Sequence, residues 1–345
     1  MTFPPRRRRG DIHPIPFPVL IADIGGTNVR LGVLTEAHSP LRIFPTKPTH
    51  AFPDFVSAAT EIVLDTTSVL PRSLLIALAG PVGGESVKLT NADWVIEPTR
   101  LAEALDLETV IMFNDFEALA LSLPALEGEQ LMQIGGGEAM SREPRVVIGP
   151  GTGLGVAALV YADQCYTPIA GEGGHVSFGP ESPRDFEIWP HLERFHGRIS
   201  GEALMSGDGL MRIYHALSRL AGIDASWCEK GADVTGAAAN GDQMAEEAID
   251  LFLTYLGRLA GDLALIFLAR GGVYIAGGVA PRVKDRFATS GFRAAFESKA
   301  PHEAIMASIP SFLITEPKPA MAGMATFATM PERFSFDLKD RRFDR

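Results

Sequence analysis

Cysteine is almost missing from this chain: Cys165 and Cys228 are the only two in 345 residues. They form no Cys-x-x-Cys pair, and no histidine stands at zinc-ligand spacing. A disulfide scaffold and a structural zinc site are thereby excluded, and a reducing compartment, the cytoplasm, is expected, with both thiols buried as small hydrophobes. Long apolar runs are also lacking. The most apolar stretch, residues 249–269, carries Arg258 and Asp262 near its centre and reads as a buried helix, so no membrane partner is expected. Positive charge is scarce, with 31 Lys and Arg against 42 Asp and Glu and a net charge of −11. Four of those cations are the run Arg6-Arg7-Arg8-Arg9, which leaves the rest more acidic still. A body of that sign repels polyphosphate backbones, so no nucleic acid is expected as a partner. A small anion would have to be held at short range, by backbone N–H groups and a metal ion.

What is present is ordinary globular composition, 46% hydrophobic and 21% charged. The 35 glycines and 25 prolines fall short of the roughly 25–30% that marks low complexity. At roughly 150 residues per domain, the length suggests two cores. The arginine run and Pro14, Pro16 and Pro18 make residues 1–18 read as a disordered leader.

Two glycine turns stand out, each between strands. Val19-Leu20-Ile21-Ala22-Asp23-Ile24 runs into Gly25-Gly26-Thr27-Asn28, and alternation resumes over residues 29–34. The pattern recurs where Arg145-Val146-Val147-Ile148 leads into Gly149-Pro150-Gly151-Thr152-Gly153-Leu154-Gly155 and a Val-rich run. A dinucleotide fingerprint would open a helix here, and the residues after Gly155 are too short and β-branched for one. Glycines in a hairpin instead let successive N–H groups converge on an anion. One such turn is an ordinary bend; two, with Asp23 beside one and Thr27 and Thr152 inside them, suit two halves gripping one triphosphate.

Carboxylates supply the other chemistry. Residues 109–113 read as a buried strand ending at Asn114-Asp115, and residues 116–121 as a helix. Asp115 therefore stands either as a helix N-cap or as a ligand and base at the carboxyl end of a strand, where open α/β sheets bind ligands. Gly171-Glu172-Gly173-Gly174-His175 places a carboxylate and an imidazole in a flexible loop. Glu202, in Ser200-Gly201-Glu202-Ala203, reads on its own as an exposed helix residue. Together with Asn114 these groups form the acceptor-rich set that an uncharged polyhydroxylated substrate needs. Near the end, Val273-Tyr274-Ile275-Ala276 runs into Gly277-Gly278.

Taken together, the segments resemble the bacterial-type ATP-dependent glucokinases of the hexokinase–actin superfamily. The resemblance rests on residues 22–28, Thr90-Asn91-Ala92-Asp93-Trp94, Asn114-Asp115-Phe116, residues 151–156, residues 171–176, Ile275-Ala276-Gly277-Gly278 and residues 290–296, in family order. It implies glucose phosphorylation at the 6-hydroxyl, the first step of glycolysis, with Asp115 as general base. Thr90, Asn91, Asn114, Glu172, His175 and Glu202 would hold the sugar. Ala22, Asp23, Ile24, Gly25, Gly26 and Thr27 would face the phosphates of ATP, with Gly151, Thr152 and Gly153 opposite them. Asp23 would stand near Mg²⁺ through water, and Gly277 and Gly278 near the nucleoside. The family's Ser-Gly-Pro-Gly is Ser206-Gly207-Asp208-Gly209 here, so a different helix start is expected at that point.

The fold so implied is α/β, with two ribonuclease-H-like domains of actin/hexokinase type around an interdomain cleft and a homodimer as the usual assembly. The small domain would take residues 19–124 plus 315–345, and the large one residues 125–314. A non-catalytic sugar-binding regulator, or a kinase of another hexose, on the same fold is the main alternative; for the regulator, the short proline-rich segment ahead of the first strand is too short for a helix-turn-helix. An actin-like ATPase without a sugar is disfavoured by the Glu172–His175 loop.

Overall fold

The computed structural model of the chain describes residues 14–89 and 93–345. Thr90, Asn91 and the arginine run lie outside the described residues. The chain divides into two compact units. The first takes the described residues up to Leu126, then Tyr161–Pro168 and Pro317–Arg345; the second takes Glu127–Val160 and Ile169–Glu316.

The first unit is built on a seven-stranded sheet. Arg342–Asp344, Thr109–Asn114, Ser73–Leu78, Val19–Ile24, Asn28–Leu34 and Arg42–Ile43 lie side by side in that order, with Lys47–Pro48 also pairing with Asn28–Leu34. Val19–Ile24, Ser73–Leu78 and Thr109–Asn114 are mutually parallel, and Val19–Ile24 turns back antiparallel into Asn28–Leu34. Ser73–Leu78 is buried along its whole length, which explains its unbroken Leu-Leu-Ile-Ala-Leu run. Helix Pro319–Thr329 packs onto helix Asp115–Ala120 so closely that a Cβ on Gly323 would overlap the Ala118 carbonyl oxygen. Phe113 meets Phe327 and Phe336 edge-on beside that contact, at 5.4 and 5.5 Å.

A second sheet repeats the plan, lying in the second unit except for the hairpin tip Tyr161–Pro168, which is counted with the first. Its six strands run Cys165–Gly171, Leu154–Ala162, Arg145–Pro150, Val273–Ile275, Ser311–Ile314 and Leu131–Gly135. Counted from the first strand of each glycine hairpin, and leaving Lys47–Pro48 aside, both sheets run third, second, first, fourth, fifth. In both, the first, fourth and fifth strands are parallel and the fifth is flanked by an antiparallel edge strand. The second and third strands join through Asp163 and Gln164, both left-handed (φ 49° and 64°), a two-residue hairpin turn matched to strand twist. The 25-residue helix Gln243–Phe267 lines the core, and its Gly257 and Gly261 let helix Phe292–Glu297 approach backbone to backbone. This is the helix that residues 249–269 announced. Among the described residues, no helix is long and apolar enough to cross a membrane.

Two expectations are corrected. Residues 14–18 are packed: Ile15 is buried, the Pro16 carbonyl accepts from Ser73 Oγ at 2.7 Å, and the Pro18 carbonyl accepts from the Arg72 amide at 2.8 Å. Proline fixes the backbone here without preventing it from joining the sheet's end. The two cysteines also differ. Cys228 is buried, and that burial, reinforced by the Asp233 charge, pushes its thiol up to about 11. Cys165 is only half-buried, because it begins the outermost strand of its sheet. A disulfide reagent at pH 8 should therefore label one thiol per chain quickly and the second only on unfolding, since the thiolate is the reacting form. Two fast thiols in the native protein would contradict this.

Candidate active site

In the first unit, strand register decides what can meet. Ile24 pairs with Leu78 and Leu78 with Asn114, so three parallel strands end on one line. Two interstrand spacings of about 4.8 Å put the backbones at Ile24 and Asn114 roughly 10 Å apart on the sheet's carboxyl edge. The 25–28 turn and Asp115 therefore share that edge. The turn is closed by Gly25 N donating to Asn28 O (3.0 Å) and braced from outside by Thr49, whose N donates to Thr27 O (2.9 Å) and whose Oγ1 donates to Gly25 O (3.1 Å). A Cβ on Gly25 would meet only Asn28 O, at 3.8 Å. Gly25 and Gly151 do not occupy the left-handed region. Their value is an uncovered backbone, not unusual dihedrals.

Asp23, one residue before the strand ends, is opposite Arg30 in register, and Arg30 Nη1 donates to its Oδ2 at 2.8 Å. That pairing was not anticipated, although the hairpin register makes Asp23 and Arg30 facing neighbours.

Asp115 is the first residue of helix Asp115–Ala120, and the cap is Asn114. Asn114 Oδ1 accepts from the Phe116 and Glu117 amides at 3.0 and 3.2 Å, its Nδ2 donates to Gly80 O at 3.0 Å, and Glu117 Oε2 accepts from its amide at 3.1 Å. This is a capping box. It corrects the expectation that Asp115 itself is the alternative cap; the Asn-x-x-Glu spacing carried that signal. Capping by Asn114 relieves Asp115 of the duty and holds it half-buried on the edge, where its Oδ1 accepts from the Phe116 amide at 2.9 Å. Beneath it the buried Glu117 is paired with Arg341 at 2.7 Å. Arg341 was not anticipated, because a partner 224 residues away leaves no local pattern.

In the second unit, Ile148 pairs with Ile275, so the 151–153 turn and residues 276–278 share a carboxyl edge. Ala276 N donates to Ile148 O and Val279 N to Pro150 O. Gly277 adopts φ 83°, and a Cβ there would overlap the Pro150 carbonyl; Gly278 and Gly151 face open space. Ser206 caps helix Gly207–Ala221 through the Gly209 amide, so Asp208 in place of proline leaves the helix start intact. Gly207 N donates to Gly151 O at 2.9 Å, which fixes the turn from the side of that helix.

Glu202 is half-buried, not exposed. Its Oε2 accepts from the Leu154 amide at 2.9 Å, because capping by Ser200 starts a short helix, Gly201–Leu204, against the hairpin. Glu172 and His175 are exposed, with Oε2 and Nε2 3.7 Å apart. A single 3₁₀ turn over Gly173–His175 sets that spacing, and Arg198 donates to the His175 carbonyl. The flanking glycines divide their work. Gly171 faces open space, whereas Gly173 touches Val156 and Gly174 rests on the Leu154 carbonyl. Glycine at 173 and 174 thus serves contact with the hairpin strand. Among the described residues, no group of three His, Cys, Asp or Glu could hold a metal ion.

Residues 20–331 match the family model described as Glucokinase. The chain belongs to the glucokinase family. A glucokinase of Rhizobium meliloti (strain 1021) is 47% identical over 334 residues, 96% of this chain and 98% of that protein. The crystal structure of a glucokinase from an Antarctic psychrotroph superposes with a TM-score of 0.81 at 31% identity, covering 90% of this chain and 98% of that one. A ROK family glucokinase from Streptomyces griseus, solved with glucose and AMPPNP, shares the fold at TM-score 0.58 and 21% identity, over 89% and 98% of the chains. As a glucokinase family member, the chain is a sugar kinase.

Proposed function

We propose that the chain transfers the γ-phosphoryl group of ATP to the 6-hydroxyl of glucose, with Asp115 as general base. The observation that carries the reading is Asp115 itself. It is a half-buried carboxylate freed from capping duty by Asn114, aligned in register with the 25–28 turn. Phosphoryl transfer is mostly positioning and charge stabilisation. Asp115 accepts the proton of the attacking hydroxyl and contributes about 10²–10⁴-fold to the rate. Thr90, Asn91, Asn114, Glu172, His175 and Glu202 hold the remaining hydroxyls; Thr90 and Asn91 fall outside the described residues. Asn114 caps the helix with its side-chain Oδ1 and already gives one Nδ2 hydrogen to Gly80 O, so it is the second Nδ2 hydrogen that meets the sugar.

Residues 22–27 and the 151–153 turn face the phosphates; Gly25 N and Gly151 N already donate to Asn28 O and Gly153 O, so the amide N–H groups offered are those of Gly26, Thr27, Thr152 and Gly153, and Gly277-Gly278 leaves room for the nucleoside. Asp23 suits Mg²⁺, since one carboxylate plus waters and substrate phosphates is that ion's common set, and Arg30 engages only Oδ2. Mg²⁺ bound with ATP would neutralise charge on the phosphates. We read the matched strand orders as two ribonuclease-H-like domains of actin/hexokinase type, and place the enzyme in the cytoplasm as a homodimer at the entry to glycolysis.

A coupled assay over several hexoses with ATP tests the function: glucose should give glucose 6-phosphate with the highest kcat/KM. A sugar-binding regulator would form no sugar phosphate at all. Within the site, Glu172→Gln should weaken glucose at least tenfold more than ATP, since losing a charged hydrogen-bond partner costs about 1.5–3 kcal/mol. Calorimetry showing equal losses for both ligands would count against that assignment.

A further inference from the structure

The Leu154 peptide lies at a junction. Its amide donates to Glu202 Oε2 at 2.9 Å, and its carbonyl lies against Gly174 of the Glu172–His175 loop. Gly201, at the start of the Glu202 helix, donates to Val176 O at 3.0 Å, so loop and helix brace each other. The side chain of Glu202 also closes over Gly153. A Cβ built on Gly153 would overlap Oε2 and come within 3.2 Å of Cδ, and the third nearest atom, at 3.9 Å, is again of Glu202. The nearest atoms that a side chain at 153 would meet thus all belong to one carboxylate, which would have to move, and Gly153 does not occupy a left-handed backbone.

From this we infer that Glu202 is a positioning residue for the nucleotide as well as a sugar ligand. One carboxylate oxygen holds the 151–154 hairpin in its phosphate-receiving shape while the other remains for a sugar hydroxyl. The inference rests on the reading of that hairpin as phosphate-facing. Physically, a charged acceptor on a hairpin amide fixes the direction of the neighbouring N–H groups, and those N–H groups are what an anion binds. Sugar and nucleotide then act on opposite oxygens of one group, so filling one side favours the geometry the other needs.

The test is a double-mutant cycle read in KM for ATP and KM for glucose separately. E202A should raise KM for ATP about 10–100-fold, the loss expected when a charged hydrogen bond is removed. E202Q, whose amide oxygen still accepts from Leu154, should return KM for ATP to within about threefold of wild type while glucose binding stays impaired. G153A in the wild-type background must expel the carboxylate and should reproduce the E202A effect on ATP. In the E202A background the same change meets no close atom and should add nothing. Contacting residues show such coupling, and independent ones do not.

Two results overturn the inference. One is E202A altering KM for glucose with KM for ATP unmoved. The other is G153A and E202A multiplying their losses. Should E202A fail to fold, G153A against E202Q decides the matter: ATP impaired in the first and spared in the second supports it, and ATP equally affected in both contradicts it. Absence of glucose phosphorylation by the wild type would instead remove the functional reading on which the inference stands.

Discussion

Asp115→Asn is expected to leave a folded protein that binds glucose and ATP but turns over at least about 10²-fold more slowly, the usual loss when a positioned general base is removed. Asparagine keeps the size of the side chain and an oxygen able to accept from the Phe116 amide, as Asp115 Oδ1 does at 2.9 Å. The cap is untouched, because it belongs to Asn114. Loss of activity without loss of structure therefore isolates proton acceptance. The measurement is kcat at saturating glucose and ATP, beside glucose binding by calorimetry and a thermal melt. Retention of more than about a tenth of the wild-type kcat would place the base elsewhere.

The second large effect concerns what stands beneath that aspartate. Arg341→Ala should destabilise the protein by about 3–5 kcal/mol, the cost of leaving one member of a buried ion pair without its partner. Glu117 is buried, and its Oε2 is shared by Arg341 Nη1 at 2.7 Å and the Asn114 amide at 3.1 Å. Without the guanidinium, the carboxylate keeps one neutral donor. The strand Thr109–Asn114 and helix Asp115–Ala120 meet at that point, so catalysis should fall along with stability. Arg341→Lys should recover part of the stability and less of the rate, since an ammonium lacks the planar fork of the guanidinium. Chemical denaturation of the three proteins checks the order. A shift of Arg341→Ala below about 1 kcal/mol, the range of an exposed pair, would show that the pair contributes little.

Much of the fold was legible because its signals are local. Period-two alternation on both sides of residues 25–28 and 151–155 marked two hairpins, and the structure has strands on both sides of each. The β-branched run after Gly155 argued against a dinucleotide helix, and Leu154–Ala162 is a strand. Residues 116–121 announced a helix, which begins one residue earlier. What escaped was long-range pairing. Edge strands Arg342–Asp344 and Leu131–Gly135 complete their sheets through partners far along the chain, where periodicity carries no information.

The candidate site divides in the same way. Residue types were readable, since the carboxylates and the histidine stand among glycines or at the end of an apolar run. Their hydrogen-bond partners were not. Asp23 is held by Arg30 across the hairpin and Glu202 by Leu154, 48 residues away, whereas the Asn114 cap is local and its Asn-x-x-Glu spacing stands in the sequence. The glycines were read for the freedom they allow. At Gly153, Gly174 and Gly277 the structure instead gives them a nearby carboxylate or carbonyl that any side chain would strike.

The central claim is a distance. A crystal structure of the chain with glucose and a non-hydrolysable ATP analogue should put an Asp115 carboxylate oxygen about 2.6–3.2 Å from the sugar 6-hydroxyl, the reach a general base needs. A complex in which that carboxylate bonds only to the Phe116 amide, while the 6-hydroxyl is engaged by another residue, would contradict the account.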